Sequence, residues 1–314
     1  METRALGPNG PQVSLVGLGC NNFGWRIDLE QTRKVIDKAL DLGINHFDTA
    51  DIYGNTKSEQ MMGEVFGNRR KNVVIATKWG RLPDAAHGLR GRREYIRKCA
   101  EASLKRLKTD YIDVYYMHEP DPETPVDETL GALDELIKEG KVRFIAASNF
   151  LVADIEAAAS SAKKNKTAMY IAAQEEYRLT ERGIEDLIVP ALKKNGLGLV
   201  PFFPLGGGAL TGKYSRNSMP VGSRLTEVEK AGENRFLDPH WDTIDALKAF
   251  AEKRGHTILE LAFSWLAQRP LVSSIIAGAT KPEQLQVNAT AVNWKLSAEE
   301  MAEVDRIVPA KLAA

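Results

Sequence analysis

Apolar residues along the chain follow two alternating periods. Short runs rich in β-branched residues recur at VSLVGLG (13–19), INHFDTA (44–50), NVVIATKW (72–79), YIDVYYMH (111–118), VRFIAASN (142–149), AMYIAAQ (168–174), LGLVPFF (197–203) and VSSIIAGA (272–279). Longer segments with apolar residues three and four positions apart lie between them, among them LEQTRKVIDKALDLG, REYIRKCAEASLKRLK, VDETLGALDELIKEGK and ERGIEDLIVPALKKNG. The first pattern belongs to buried strands and the second to amphipathic helices. Asp127 is placed to cap a helix over 128–138, and Gly43, Gly140 and Gly196 follow last helical turns as closing glycines.

Eight strands joined by helical crossovers, with runs apolar on both faces and no break in composition, predict a closed parallel sheet. The expected fold is a (β/α)8 TIM barrel that occupies residues 1–314 as one domain. The leading METRALGPNGPQV reads as a β-hairpin turned at Pro8, Asn9 and Gly10 that plugs the N-terminal end of the barrel. After the seventh strand, residues 214–240 form a polar, turn-rich stretch too long for an ordinary connection, and are expected to act as a lid or cofactor belt.

Charge and composition narrow the choice of partners. Lys plus Arg (42) balances Asp plus Glu (42), and no polybasic run is present, so nucleic acid is not an expected partner. No 18-residue apolar stretch occurs and the N-terminus lacks a basic segment leading into one, which points to a cytoplasmic protein without a membrane partner. Cys20 and Cys99 lack metal-ligand spacing, and no metal site is expected.

In such a barrel, chemistry gathers at the C-terminal ends of the strands. That filter selects Asp48 and Tyr53 after the second strand, Lys78 on the third, His118 on the fourth, Ser148 and Asn149 on the fifth, and Gln174 on the sixth. A lysine ending an apolar strand requires a carboxylate, and Asp48 ends the neighbouring one, so an Asp48–Lys78 ion pair is expected. The ammonium should draw the Tyr53 phenol down from about 10 toward neutrality and make it a general acid, with His118 facing the same substrate oxygen. His46, deeper in its strand, is assigned to the core, and Asp51 to a loop. GGGALTGKY (206–214) and AGATKPEQL (277–285) offer glycine amides and a helix start to phosphates.

In order, DTADIYG with SEQMMG, ATKW, YIDVYYMHEPDP, KEGKVRFIAASNF, QEEYRLTERG, PFFPLGGGALTGKY and IIAGATKPEQLQVNA give a chain that resembles the aldo-keto reductases almost end to end. The resemblance implies a nicotinamide dinucleotide bound in extended form over the strand ends, without a Rossmann domain, and a catalytic tetrad of Asp48, Tyr53, Lys78 and His118. It places Ser148, Asn149 and Gln174 at the carboxamide and Phe202 against the nicotinamide ring. Leu205, Gly206, Gly208, Leu210 and Lys213 would line the pyrophosphate, and Gly278, Thr280, Lys281, Gln284 and Asn288 would surround the adenosine phosphate.

Gln284 stands where many members carry an arginine, and Val287 where a glutamate is frequent. Lys281 could supply the missing charge, so NADPH is expected ahead of NADH. The implied substrate is a small-molecule aldehyde or ketone entering a mouth framed by Phe23, Trp25 and Trp79. Two rivals share the fold: a Schiff-base aldolase using Lys78, and a cofactor-binding sensor subunit of an ion-channel complex. The physiological substrate and the oligomeric state are left open.

Overall fold

Ten strands are formed in the computed structural model, which describes residues 1–82, 84–216, 218–220, 223, 226 and 240–308. β1 (Thr3–Ala5) and β2 (Gln12–Ser14) make an antiparallel hairpin. β3 (Val16–Gly19), β4 (His46–Asp48), β5 (Val74–Trp79), β6 (Ile112–Met117), β7 (Val142–Ser148), β8 (Ala172–Glu176) and β9 (Gly198–Phe202) pair in order as parallel neighbours, and β10 (Ile275–Gly278) pairs with β3. The seam between β9 and β10 closes at a bridge of Leu199 to Val272, where Leu199 N donates to Leu271 O at 2.7 Å and Ser273 N to Leu199 O at 2.9 Å.

The helices pack outside this cylinder: α1 (Leu29–Asp41), α2 (Lys57–Phe66), α3 (Arg93–Leu107), α4 (Val126–Lys138), α5 (Val152–Asn165), α6 (Ile188–Asn195), α7 (Trp241–Glu252), α8 (Ile258–Ala267), α9 (Pro282–Thr290) and α10 (Ala298–Ile307). The arrangement is the (β/α)8 barrel that the alternating periods require. No described helix is long and apolar enough to cross a membrane.

Strand alternation explains the continuous apolar runs, because one set of side chains fills the barrel and the other packs under the helices. Val74, Ala76, Val114, Tyr116, Ala146, Ala172, Val200 and Ile276 form the inner cluster, and Leu6 and Val13 of the hairpin complete it as the expected plug. Gly7 makes the plug possible: at φ 73 it passes so close that a Cβ would lie 2.0 Å from Ile171 O. Ile75 and Trp79, the alternate positions of β5, belong to the outer cluster between sheet and helices.

Several boundaries differ from the sequence reading. VSLVGLG is divided, with Val13 and Ser14 in the hairpin and Val16–Gly19 in the barrel, while the sixth strand begins at Ala172 rather than 168. Asp127 does not cap a helix. It lies inside the first turn of α4, and its carboxylate bonds Ser161 Oγ at 2.5 Å and Lys164 Nζ at 3.3 Å. The helix expected over 181–196 begins only at Ile188, because Pro190 is tolerated in a first turn but not farther in. Most of the proposed lid, residues 217, 221–222, 224–225 and 227–239, lies outside the described residues.

Candidate active site

The polar residues at the strand ends converge on Lys78. This residue alternates inward with Val74 and Ala76, so its four-carbon stem lines the barrel and its ammonium emerges near the C-terminal ends of the strands. It is completely buried. Lys78 Nζ donates to Asp48 Oδ1 at 2.8 Å, Asp48 Oδ2 at 2.7 Å and Thr49 O at 2.8 Å, and it lies 3.5 Å from the Tyr53 hydroxyl. Burial alone would drive the ammonium toward neutrality. The Asp48 charge, with the Tyr53 hydroxyl, outweighs burial and holds the pKa of Lys78 above its ordinary value. A lysine so held has no free electron pair, which removes the support for Schiff-base chemistry at this position.

Asp48 is 2 % exposed and has a second partner, Gln174 Nε2, at 2.8 Å from Oδ1. Sequence reading gave Gln174 to a cofactor carboxamide and missed this bond across the barrel, as it missed the carbonyl of Thr49. The loop from Thr49 to Tyr53 is stitched to β5 by Thr49 N to Ala76 O at 2.8 Å and Asp51 N to Lys78 O at 3.0 Å. These bonds hold the tyrosine over the lysine, with Lys78 Nζ 5.0 Å from the centre of its ring.

Tyr53 corrects one expectation. Burial pushes its phenol up, and Lys78 offsets this only in part because Asp48 stands behind it, so the pKa lies above the ordinary tyrosine value. The phenol therefore keeps its proton at neutral pH. His118 meets the Tyr53 ring edge-on, centroids 6.1 Å apart. Burial, then the charges of Lys78 and Arg81, hold it well below its ordinary pKa, so the imidazole is neutral. Its Nδ1 is buried without a hydrogen-bond partner among the described residues. His46 is a core residue: it is fully buried, its Nδ1 lies 2.8 Å from Ser274 Oγ, and burial lowers its pKa to about 4.

Beside this centre, Asn149 (φ 59) turns the chain after β7, and its Nδ2 donates to His118 O at 2.9 Å and Ser148 Oγ at 3.1 Å. Ser148 Oγ in turn donates to Gln174 O at 2.9 Å. Glu175 pins the turn from behind by accepting from Phe150 N at 3.2 Å, and burial lifts its pKa to about 8. Phe202 is half-buried next to Phe203, with ring centroids 5.3 Å apart.

After β9, Gly206, Gly207 and Gly208 take φ of 53, 66 and 114, a left-handed run that only glycine adopts freely. A Cβ on Gly208 would come 3.0 Å from the Tyr214 ring. The turn thus offers backbone without side chains, which fits a diphosphate, and Leu205 and exposed Lys213 flank it. Leu210 is fully buried, so only its main chain could contribute there.

At the second loop expected to meet phosphate, which follows the adjoining strand β10, Gly278, Lys281 and Gln284 are exposed and Asn288 is buried. Two of the amides expected to be free are taken: Gln284 Oε1 accepts from Thr280 N at 2.7 Å and Lys281 N at 3.2 Å. Gln284 thus caps its own helix.

Two of the three mouth residues are misplaced by the sequence reading. Trp79 is fully buried because Lys78 takes the inward position. Its indole lies 4.4 Å from the Tyr115 ring, and Nε1 donates to Arg90 O at 2.8 Å. Phe23 is likewise fully buried in the outer core. Trp25, 56 % exposed, remains available on the loop after β3.

Asp51 is also no ordinary loop residue. It is fully buried, and among the described residues neither carboxylate oxygen has a side-chain hydrogen-bond partner. Nearby, Glu59 accepts from Thr77 Oγ1 and from Arg106 Nε, each at 2.6 Å. Burial, reinforced by the Glu59 charge, raises the Asp51 pKa from 3.8 to about 7. The unfolded chain loses this proton first, so the fold loses stability as pH rises from 3.8 toward 7, and the cost is constant above that. Asp51→Asn should therefore gain roughly 3–4 kcal/mol relative to wild type at pH 8 compared with pH 4, read by urea unfolding. An equal difference at both pH values would mean that Asp51 is ionised throughout.

A family model described as "Aldo/keto reductase family" matches residues 15–309. Among similar proteins, a "Probable voltage-gated potassium channel subunit beta" of Arabidopsis thaliana is 34 % identical over 93 % of this chain and 92 % of its own length. A "Probable aldo-keto reductase 1" of Glycine max is 35 % identical over 97 % and 88 %. An "L-glyceraldehyde 3-phosphate reductase" of Escherichia coli (strain K12) is 31 % identical over 98 % and 92 %.

Proposed function

The chain belongs to the aldo/keto reductase family, and from that premise we propose that it reduces aldehydes or ketones to alcohols by hydride transfer from NADPH, with Tyr53 as the proton donor. The observation that carries this reading is the buried Lys78 ammonium, gripped by both oxygens of Asp48, with the Tyr53 hydroxyl 3.5 Å away. When bound, the reduced nicotinamide supplies a hydride to the carbonyl carbon.

The chain's own residues manage the oxygen. Tyr53 holds its proton until negative charge develops on the substrate oxygen, then releases it, because an alkoxide is a much stronger base than a phenolate. Lys78 stabilises the phenolate left behind, and Asp48 keeps Lys78 charged and in place. Neutral His118 donates a second hydrogen bond to the same oxygen. Donors placed in this way are worth ~3 kcal/mol each to the transition state.

Ser148, Asn149 and Gln174 would orient the carboxamide, with Phe202 against the ring. The glycine turn at 206–208 would take the pyrophosphate. Exposed Lys281 supports a preference for a cofactor with a 2′-phosphate, and titration of protein fluorescence with NADPH and NADH tests it.

Relatives whose names describe potassium channel subunits favour a second reading, cofactor binding as a sensor. Oxidation of NADPH with a panel of aldehydes separates the two. A reductase consumes many equivalents of NADPH per protein, whereas a rate that stops near one equivalent supports the sensor.

A further inference from the structure

Two arginines meet one carboxylate at the rim of the site, where the loops after β5 and β6 leave the barrel. The register sets Trp79 against Met117, so Arg81 comes opposite Glu119 two positions later. Arg81 Nε lies 3.0 Å from Glu119 Oε1, and Arg90 Nη1 lies 2.9 Å from Oε2. Glu119 directly follows His118, so the cluster sits one residue from a side chain that faces the substrate oxygen.

Several contacts fix the residues beside the cluster. Gly80, at φ 100, turns the chain between Lys78 and Arg81, and a Cβ there would lie 3.6 Å from Arg90 Cβ. Arg90 is clamped on both sides: Gly88 N and Gly91 N donate to the Asp121 carboxylate at 2.7 and 2.9 Å, and its own carbonyl accepts from Trp79 Nε1. Arg90 is 6 % exposed, whereas the Arg81 side chain is 48 % exposed. One arginine is a fixed support and the other faces solvent at the mouth.

Charge and geometry both favour an anion here. Two guanidinium groups share the single carboxylate of Glu119. A second nearby acid, Asp121, is already satisfied by the N–H groups of Gly88, Gly91 and Glu123 and the hydroxyl of Thr124, and the Glu123 carboxylate lies against Gly88. Arg81 meets Glu119 through Nε, and its two Nη groups have no hydrogen-bond partner among the described residues. A planar fork with free donors suits a carboxylate or phosphate. The Arg81 charge also reaches the reacting groups, adding to burial and Lys78 in lowering the pKa of His118.

We propose that Arg81, supported by Arg90 and Glu119, is an anion subsite beside the reacting carbonyl, and that the preferred substrates are carbonyl compounds bearing a carboxylate or phosphate group. The assignment rests on the reductase reading above.

The test compares 4-carboxybenzaldehyde with its neutral methyl ester, and glyceraldehyde 3-phosphate with glyceraldehyde, in wild type, Arg81→Gln and Arg81→Lys. Arg81→Gln should lower kcat/KM for the charged member by roughly tenfold to a hundredfold, mainly through KM, and leave the neutral member within about twofold. Arg81→Lys should recover part of the loss, and salt should erode the wild-type preference. The pair with the larger loss identifies carboxylate or phosphate as the anion. Equal losses on charged and neutral substrates, or no loss on either, would overturn the subsite while leaving the reductase reading intact. A wild type that turns over none of the four would overturn that reading and the subsite with it.

Discussion

Tyr53→Phe is expected to lower turnover by roughly a thousandfold or more while binding NADPH with an affinity within a few-fold of wild type. The change deletes one oxygen at the centre of the site. Lys78 keeps its bonds to Asp48 and Thr49, because the hydroxyl is its most distant partner, at 3.5 Å. Stability should change by no more than about 1 kcal/mol, the scale of a single hydrogen bond. A folded variant that binds cofactor but does not turn over assigns the proton to Tyr53. Retention of more than a tenth of the wild-type rate would move the acid elsewhere, with His118 the first alternative. Its low pKa would then predict that activity improves toward acid pH.

Lys78→Met should be the most damaging single substitution to both stability and activity. It leaves the Asp48 carboxylate buried with Gln174 as its one remaining side-chain partner among the described residues. Breaking a buried pair on one side costs roughly 3–5 kcal/mol, because the surviving charge has neither water nor a counter-charge. The double variant Lys78→Met/Asp48→Asn removes the orphaned charge and should recover most of that stability, as measured by urea unfolding. It should remain inactive, since nothing is left to stabilise the Tyr53 phenolate. Recovery of activity along with stability would show that the pair is structural only.

The sequence made the Asp48–Lys78 pair legible for a physical reason. An apolar strand ending in lysine cannot be buried without a carboxylate, and the neighbouring strand ends in Asp48. The outcome is the pair observed at 2.7 Å. Trp79 could also have been placed from sequence: adjacent strand residues face opposite sides, so an inward Lys78 sends Trp79 under the helices.

Other features depend on distance and burial that spacing does not carry. The sign of the Tyr53 shift turns on burial outweighing a nearby ammonium whose charge is shared with Asp48. Asp51 reads as a loop residue in DTADIYG, yet its surroundings are set by Glu59 on α2 and by Arg106, which comes from α3. Gln174 lies 126 positions from the Asp48 it bonds, and only closure of the barrel brings the two together. The Arg81, Arg90 and Glu119 cluster likewise becomes visible only when the β5–β6 register sets the two loops side by side.

The central claim is that this site delivers hydride and proton to a carbonyl group. Its most direct test is reduction of a panel of charged and neutral aldehydes with NADPH deuterated on the transferred position of C4, followed by mass analysis of the products. The expected product is an alcohol with one deuterium on the carbinol carbon, formed over many turnovers by wild type and lost in Tyr53→Phe. An unlabelled alcohol, or no alcohol from wild type that demonstrably binds NADPH, would contradict it.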